Sequence, residues 1–133
     1  MRILIAEDDQ ASRLVLEATL LSLGHEVVST VDGRQAWTAF QKEYFPVVVS
    51  DWMMPEVDGL MFCRAARALR RDNYTIVILL TALAGKANYL EAMNAGADDF
   101  ITKPLDREQL AARLTVAERI LGLRKHVKHL EGL

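Results

Sequence analysis

Three carboxylates stand together at Glu7, Asp8 and Asp9, directly after the apolar run Ile3, Leu4, Ile5, Ala6. Two unit charges about 4 Å apart cost roughly 4 kcal/mol at an effective dielectric of about 20, so a fold that gathers such groups calls for a compensating cation. Acidic residues also open helices, where they cap free N–H groups and suit the helix dipole; taken alone, the cluster fits that role equally well. Three further groups end apolar runs later in the chain: Asp51 after "PVVVS", Thr81 after "YTIVILL" and Lys103 in "DDFITKP". Acid, acid, hydroxyl and ammonium thus recur where apolar runs end, and the carboxylates among them are the kind of oxygen donor that a hard divalent cation takes.

These residues share a surface only if the runs that carry them lie side by side. Short β-rich segments recur at 2–6, 25–30, 46–50, 74–80 and 98–102, and four of them are largely apolar rather than alternating, as parallel strands covered on both faces are. Between them the sequence predicts helices over 10–23, 33–44, 59–70 and 86–95, with a long one from about 106 onward. The first carries Leu14, Leu16, Leu20, Leu21 and Leu23 near helical spacing and stops at Gly24; the fourth stops at Gly96. Five strands and five helices in strict alternation predict a parallel sheet with right-handed crossovers and helices on both faces. In such a sheet ligands bind beyond the carboxyl ends of the strands, where the strand order reverses. Glu7, Asp8, Asp51, Thr81 and Lys103 all fall on that one edge.

Composition narrows the class of protein. The chain has 133 residues, 51% hydrophobic and 26% charged, which suits one globular domain. A net charge of −2 gives no reason to expect direct contact with nucleic acid or an anionic membrane. The single Cys63 cannot form an internal disulfide, no signal-peptide layout opens the chain, and no apolar stretch nears the ~20 residues that cross a bilayer. A cytoplasmic setting is the expectation.

The segments "ILIAEDD", "VVVSDWMMPEVDG", "ILLTA" and "GADDFITKP" together resemble the receiver domain of bacterial two-component response regulators. The resemblance covers residues 1 to about 121, with the four motifs in order at matching strand ends. It implies a flavodoxin-like (CheY-like), doubly wound five-stranded parallel sheet in the order 2-1-3-4-5. It also implies that one aspartate accepts a phosphoryl group from a sensor histidine kinase or a phosphotransfer protein.

Asp51 is the nucleophile expected, since it follows buried apolar residues and precedes a loop shaped by Pro55, Asp58 and Gly59. Attack by a carboxylate on a phosphohistidine brings negative groups together, so positioning and charge stabilisation carry the reaction, and a divalent cation is required. Mg²⁺, or Mn²⁺ in its place, takes oxygen ligands: Asp8 and Asp51 directly, the backbone carbonyl of Met53 as a third, and Glu7 mainly through water. Lys103 is expected to pair with Asp51 before transfer and with the phosphoryl oxygens afterwards. By the resemblance the Lys103–Pro104 bond is cis, Thr81 contacts a phosphoryl oxygen, and Phe100 turns inward as Thr81 moves. Asp9 fits either the metal site or a cap on the first helix. Taken singly, Lys103 reads as a surface lysine, Thr81 as a strand residue with a satisfied hydroxyl and Phe100 as core; their arrangement at four strand ends argues otherwise.

Other features read as structure. Cys63 and Trp37 suit packing, while Trp52 beside Asp51 is placed to report metal binding by fluorescence. His25 suits a strand edge, and His126 and His129 sit on a basic helical face with Arg124, Lys125 and Lys128. The two positions that modulate dephosphorylation in the family, two residues past the phosphoacceptor and two past the threonine, hold Met53 and Leu83; neither can orient water by hydrogen bonding, so a long-lived phosphoryl group is expected. Ala82, by its small size, leaves the site open.

The last helix bears two apolar stripes. Leu110, Leu114, Ala117 and Leu121 suit the sheet, while Val116, Ile120, Leu123, Val127 and Leu130 recur at coiled-coil spacing on another face. Residues 1–121 are therefore expected to form the receiver domain and 122–133 a helical extension. That extension suits a parallel homodimer or a signalling helix into a fused output domain, despite Gly122; the alternative is a helix folded back on its own domain. For the whole chain the competing reading is a phosphorylation-independent interaction module. A flavin-binding relative would want Gly, Ser and Thr after the first strand, and a hydrolytic phosphatase would want a general acid beside Asp51.

Overall fold

Side-chain alternation along the central strands builds both halves of the core. A computed structural model describes residues 1–132, so Leu133, the last residue of the expected extension, lies outside the described residues. The chain runs β1 (Arg2–Ala6), α1 (Gln10–Ser22), β2 (Glu26–Thr30), α2 (Gly33–Lys42), β3 (Val47–Asp51), α3 (Gly59–Ala68), β4 (Ile76–Thr81), α4 (Lys86–Asn94), β5 (Asp99–Thr102) and α5 (Arg107–Glu131). All pairings are parallel and the strand order is β2-β1-β3-β4-β5.

On one face Ile3, Ile5, Val47, Val49, Ile76, Ile78 and Leu80 meet Leu16 and Leu20 of α1 and Leu110, Leu114, Ala117 and Leu121 of α5. On the other, Leu4, Ala6 and Val48 meet Ala36 and Phe40 of α2 and Phe62 of α3, while Val77 and Leu79 meet Cys63 of α3 and Ala92 of α4. β1, β3 and β4 thus have helices on both sides, which is why their sequences lack polar alternation. Each fully buried Leu or Ile contributes about 1.5–3 kcal/mol, and truncating one such as Ile78 to Ala costs about 2–5 kcal/mol. β2 and β5 lie at the sheet edges and stay partly exposed.

The predicted elements all form, with ends within about two residues, the usual uncertainty of helix and strand limits. Tyr74 and Thr75 fall just before β4: Tyr74 C=O accepts from the Tyr44 hydroxyl, and Thr75 donates its own to Phe45 C=O. Of the five leucines near helical spacing in the first helix, only Leu16 and Leu20 are fully buried; Leu14 and Leu21 are exposed, because α1 has the sheet on one side only. Gly24 and Gly96 follow α1 and α4 at φ +89° and +104°, a conformation other residues adopt only with strain. The two stripes of α5 separate as expected, the first buried and the second exposed. Gly122 does not interrupt the helix.

Candidate functional site

The strand order reverses between β1 and β3, and the groups at their carboxyl ends come together there. Glu7 follows β1 with its backbone held on both sides: its N–H donates to Thr30 C=O at 3.2 Å and its C=O accepts from Arg13 Nη1 at 2.9 Å. Asp51 is the last residue of β3 and is buried. Carboxylate oxygens of Glu7, Asp8 and Asp51 all lie within 4.8 Å of one another. Opposite ligands of an octahedral Mg²⁺ lie about 4 Å apart, so this set of hard oxygen donors fits such an ion with little adjustment.

Lys103 reaches into the same cluster from the end of β5. Its Nζ lies 2.6 Å from Glu7 Oε1 and 3.4 Å from Asp51 Oδ2. The expected pair with Asp51 is therefore there, but the shorter contact runs to Glu7. Burial pushes the Glu7 carboxyl above the usual carboxylate range and Asp51 adds to the rise, with Lys103 opposing it. Burial by itself would lower the Lys103 ammonium; hydrogen bonding to Glu7 and the charge of Asp51 outweigh it and leave the lysine raised. The peptide bond from Lys103 to Pro104 is cis.

Thr81 ends β4 beside this group and is fully buried. Its Oγ1 accepts from Leu83 N–H at 2.9 Å, which leaves the hydroxyl proton available to donate, and its C=O accepts from Lys103 N–H at 2.7 Å. Phe100 on β5 is half-buried, its ring edge-to-face with Trp52 at 5.9 Å and with Tyr89 at 6.1 Å. Met53 stands on the loop after Asp51 with its side chain exposed, whereas Met54 is buried.

Asp9 takes the capping role. Its side chain accepts from Ser12 N–H at 2.8 Å at the start of α1, and that bond holds its carboxyl below the ordinary value. Cys63 is buried in the core, Trp37 packs against Phe40 and Phe62, and His25 Nδ1 sits 2.9 Å from the Met1 amine just ahead of β2. Sequence reasoning did not find the short Glu7–Lys103 contact, the Arg13 bond to Glu7 or the Trp52–Phe100–Tyr89 packing. The first had a signal in the position of both residues at strand ends; the last joins a strand, a loop and a helix, and no local pattern encodes it.

Comparison with known proteins agrees with this fold. Residues 3–115 match the family model described as the response regulator receiver domain. The chain is 39% identical over 85% of its length to "Probable transcriptional regulator ycf27" of Cyanophora paradoxa, of which it covers 46%. Among solved structures it is similar to the Vibrio cholerae chemotaxis protein CheY4, with TM-score 0.81 and 30% identity over 87% of this chain and 97% of that one. It is also similar to the receiver domain of the sensor histidine kinase PA1611 from Pseudomonas aeruginosa PAO1, which has a magnesium ion coordinated in its active site cleft. There the TM-score is 0.78, with 30% identity over 91% and 97% of the two chains. The chain spans about half the length of the curated relatives it matches. Among the described residues no helix is long and apolar enough to cross a membrane.

Proposed function

Because the chain belongs to the response regulator receiver domain family, a family of signalling switches rather than classical enzymes, we propose that it accepts a phosphoryl group on Asp51 and relays the change through α5. The observation that carries this reading is the meeting of the Glu7, Asp8 and Asp51 carboxylates within 4.8 Å, with the Lys103 ammonium 3.4 Å from Asp51. The phosphodonor is a histidine kinase or a phosphotransfer protein. Asp51 Oδ attacks phosphorus, an O–P bond forms, the N–P bond of the phosphohistidine breaks, and the imidazole leaves with the electron pair.

Asp8, Asp51 and the Met53 carbonyl would hold Mg²⁺ or Mn²⁺, with Glu7 reaching it mainly through water, and the charge supplied there would offset that of the phosphoryl oxygens. Lys103 shifts its ammonium from Glu7 and Asp51 to a phosphoryl oxygen, and Thr81 donates its free hydroxyl proton to another. Both contacts exist only in the phosphorylated state, which is what lets phosphorylation move a conformational equilibrium. Phe100, which carries no hydroxyl, turns further inward beside Trp52 as Thr81 moves. Hydrolysis of the acyl phosphate resets the switch by self-catalysis.

The output passes through residues 122–133 to a second copy or to an output domain. Val116, Ile120, Leu123, Val127 and Leu130 remain 36–66% exposed along one face of α5. Arg124 stacks 4.0 Å from the Tyr74 ring and Lys128 Nζ donates to Asp72 C=O, which keeps the flank of the helix beside that stripe on its own domain. β-branched Ile120 and Val127 alternate with Leu123 and Leu130, the pattern that favours two parallel helices. Incubation with Mg²⁺ and a small acyl phosphate tests the switch. One phosphoryl group per chain in the unmutated protein and none in Asp51→Asn supports it; no gain of mass in the unmutated protein refutes it and leaves the interaction-module reading.

A further inference from the structure

The loop that follows Asp51 is gripped from outside the site. Residues 52–58 join β3 to α3, and Gly59 N–H closes their ends by donating to Trp52 C=O at 2.9 Å. A Cβ at Gly59 would lie 2.6 Å from the Asp51 carbonyl oxygen, so α3 starts pressed on the backbone of Asp51. Within the loop Met54 is buried and Val57 is half-buried, and both pack into the cluster that holds Ala36 and Phe40 of α2. Glu56 between them takes φ +64°, and its carboxylate meets Arg34 of α2 at 3.1 Å.

The tightest approach is at Gly33, the first residue of α2. A Cβ there would lie 2.0 Å from the Val57 carbonyl oxygen and 2.8 Å from Val57 Cβ. Turning a side chain cannot relieve that distance, because the obstacle is backbone. Nor does α2 need a glycine for its own sake: the Gly33 backbone is outside the left-handed region, and Asp32 already caps the helix by accepting from Gln35 N–H at 2.8 Å. Glycine is a poor helix former, so what the position gains is space.

We propose that Gly33 is a positioning residue for the metal centre. By letting α2 seat directly on Val57, it fixes the 52–58 loop and with it the carbonyl of Met53. This rests on the reading of Met53 as a metal ligand given above. Mg²⁺ demands near-ideal octahedral geometry, so a ligand on a loop displaced by a methyl group no longer meets it.

The test is calorimetric Mg²⁺ titration of the 133-residue chain beside Gly33→Ala, Val57→Ala and Gly24→Ala, each also melted. Gly24 has φ +89° and open space around it, so alanine there strains the backbone far from the loop. Gly33→Ala is expected to weaken Mg²⁺ about tenfold, as loss of a support behind a metal ligand does. Val57→Ala, which loosens the same seat from the other side, is expected to weaken it by a smaller factor and carries the test if Gly33→Ala does not fold. Gly24→Ala melts lower yet binds Mg²⁺ as the unmutated chain does. A folded Gly33→Ala with unchanged Mg²⁺ affinity overturns the inference alone, as does an equal loss in Gly24→Ala. An unmutated chain that binds no Mg²⁺ overturns the metal reading with it.

Discussion

The Lys103 ammonium sits closer to Glu7 Oε1, at 2.6 Å, than to Asp51 Oδ2, at 3.4 Å. One lysine thus bridges two carboxylates that would otherwise repel, and does the work of a cation until one binds. Lys103→Ala is expected to destabilise the metal-free protein by about 1–2 kcal/mol, less than for a fully buried pair because the lysine remains partly solvated. Mg²⁺ should recover that loss by binding the folded state. Urea unfolding with chelator and with Mg²⁺ measures both terms, and equal destabilisation under the two conditions contradicts the arrangement.

Hydrolysis of the acyl phosphate depends on what flanks it. The side chains of Met53 and Leu83 are exposed at the site's rim, and neither can orient a water molecule. The phosphoryl group is expected to persist for minutes or longer, and a decay within seconds would refute this. Met53→Asn, which keeps the backbone carbonyl and adds a hydrogen-bonding group, is expected to speed decay about tenfold, equivalent to about 1.4 kcal/mol of barrier. Loss of bound phosphate with time gives the rate.

The exposed stripe of α5 predicts an association that follows phosphorylation. Light scattering should report a dimer after treatment with a phosphodonor and a smaller species in Val127→Glu, whose new charge lies at the seam. Phosphate incorporation should be the same in both. A monomer in every state, or a Val127→Glu variant that still dimerises, rules the seam out.

Tyr74 offers a pH test of the packing against which the extension lies. Its ring lies between the guanidinium groups of Arg67 at 4.5 Å and Arg124 at 4.0 Å, and its hydroxyl donates to Asp98. Burial first, then the Asp98 bond, pushes the phenol up to about 12 from an ordinary value of 10.0. The folded chain therefore keeps a proton that the unfolded chain releases, so this contribution to stability is full below about pH 10 and is lost as pH rises toward 12. In an ultraviolet titration the latest-ionising tyrosine should vanish in Tyr74→Phe, leaving Tyr44, which burial also pushes up. Three tyrosines that ionise together near pH 10 would contradict the contact.

Much of this was legible in the order of residues, for a physical reason. Strands buried on both faces must be apolar throughout, and a parallel sheet must bring all its strand ends to one edge, so Glu7, Asp8, Asp51, Thr81 and Lys103 could be gathered without coordinates. What the sequence left open depends on distance. Asp9 was equally suited to cap and to cation until the bond from Ser12 assigned it to α1. Lys103 had two carboxylates within plausible reach, and only the geometry ranks Glu7 first. Gly33 carries no functional chemistry, and its closeness to Val57 joins segments with no shared pattern.

The central claim is that Asp51 itself carries the phosphoryl group. Phosphorylation with a small donor, reduction of the acyl phosphate with borohydride and mass mapping of the resulting peptides locate the modified carboxylate directly. The account predicts label on the peptide that contains Asp51, and none on the peptide that contains Glu7, Asp8 and Asp9. Label on that second peptide, or no label at all, would contradict it.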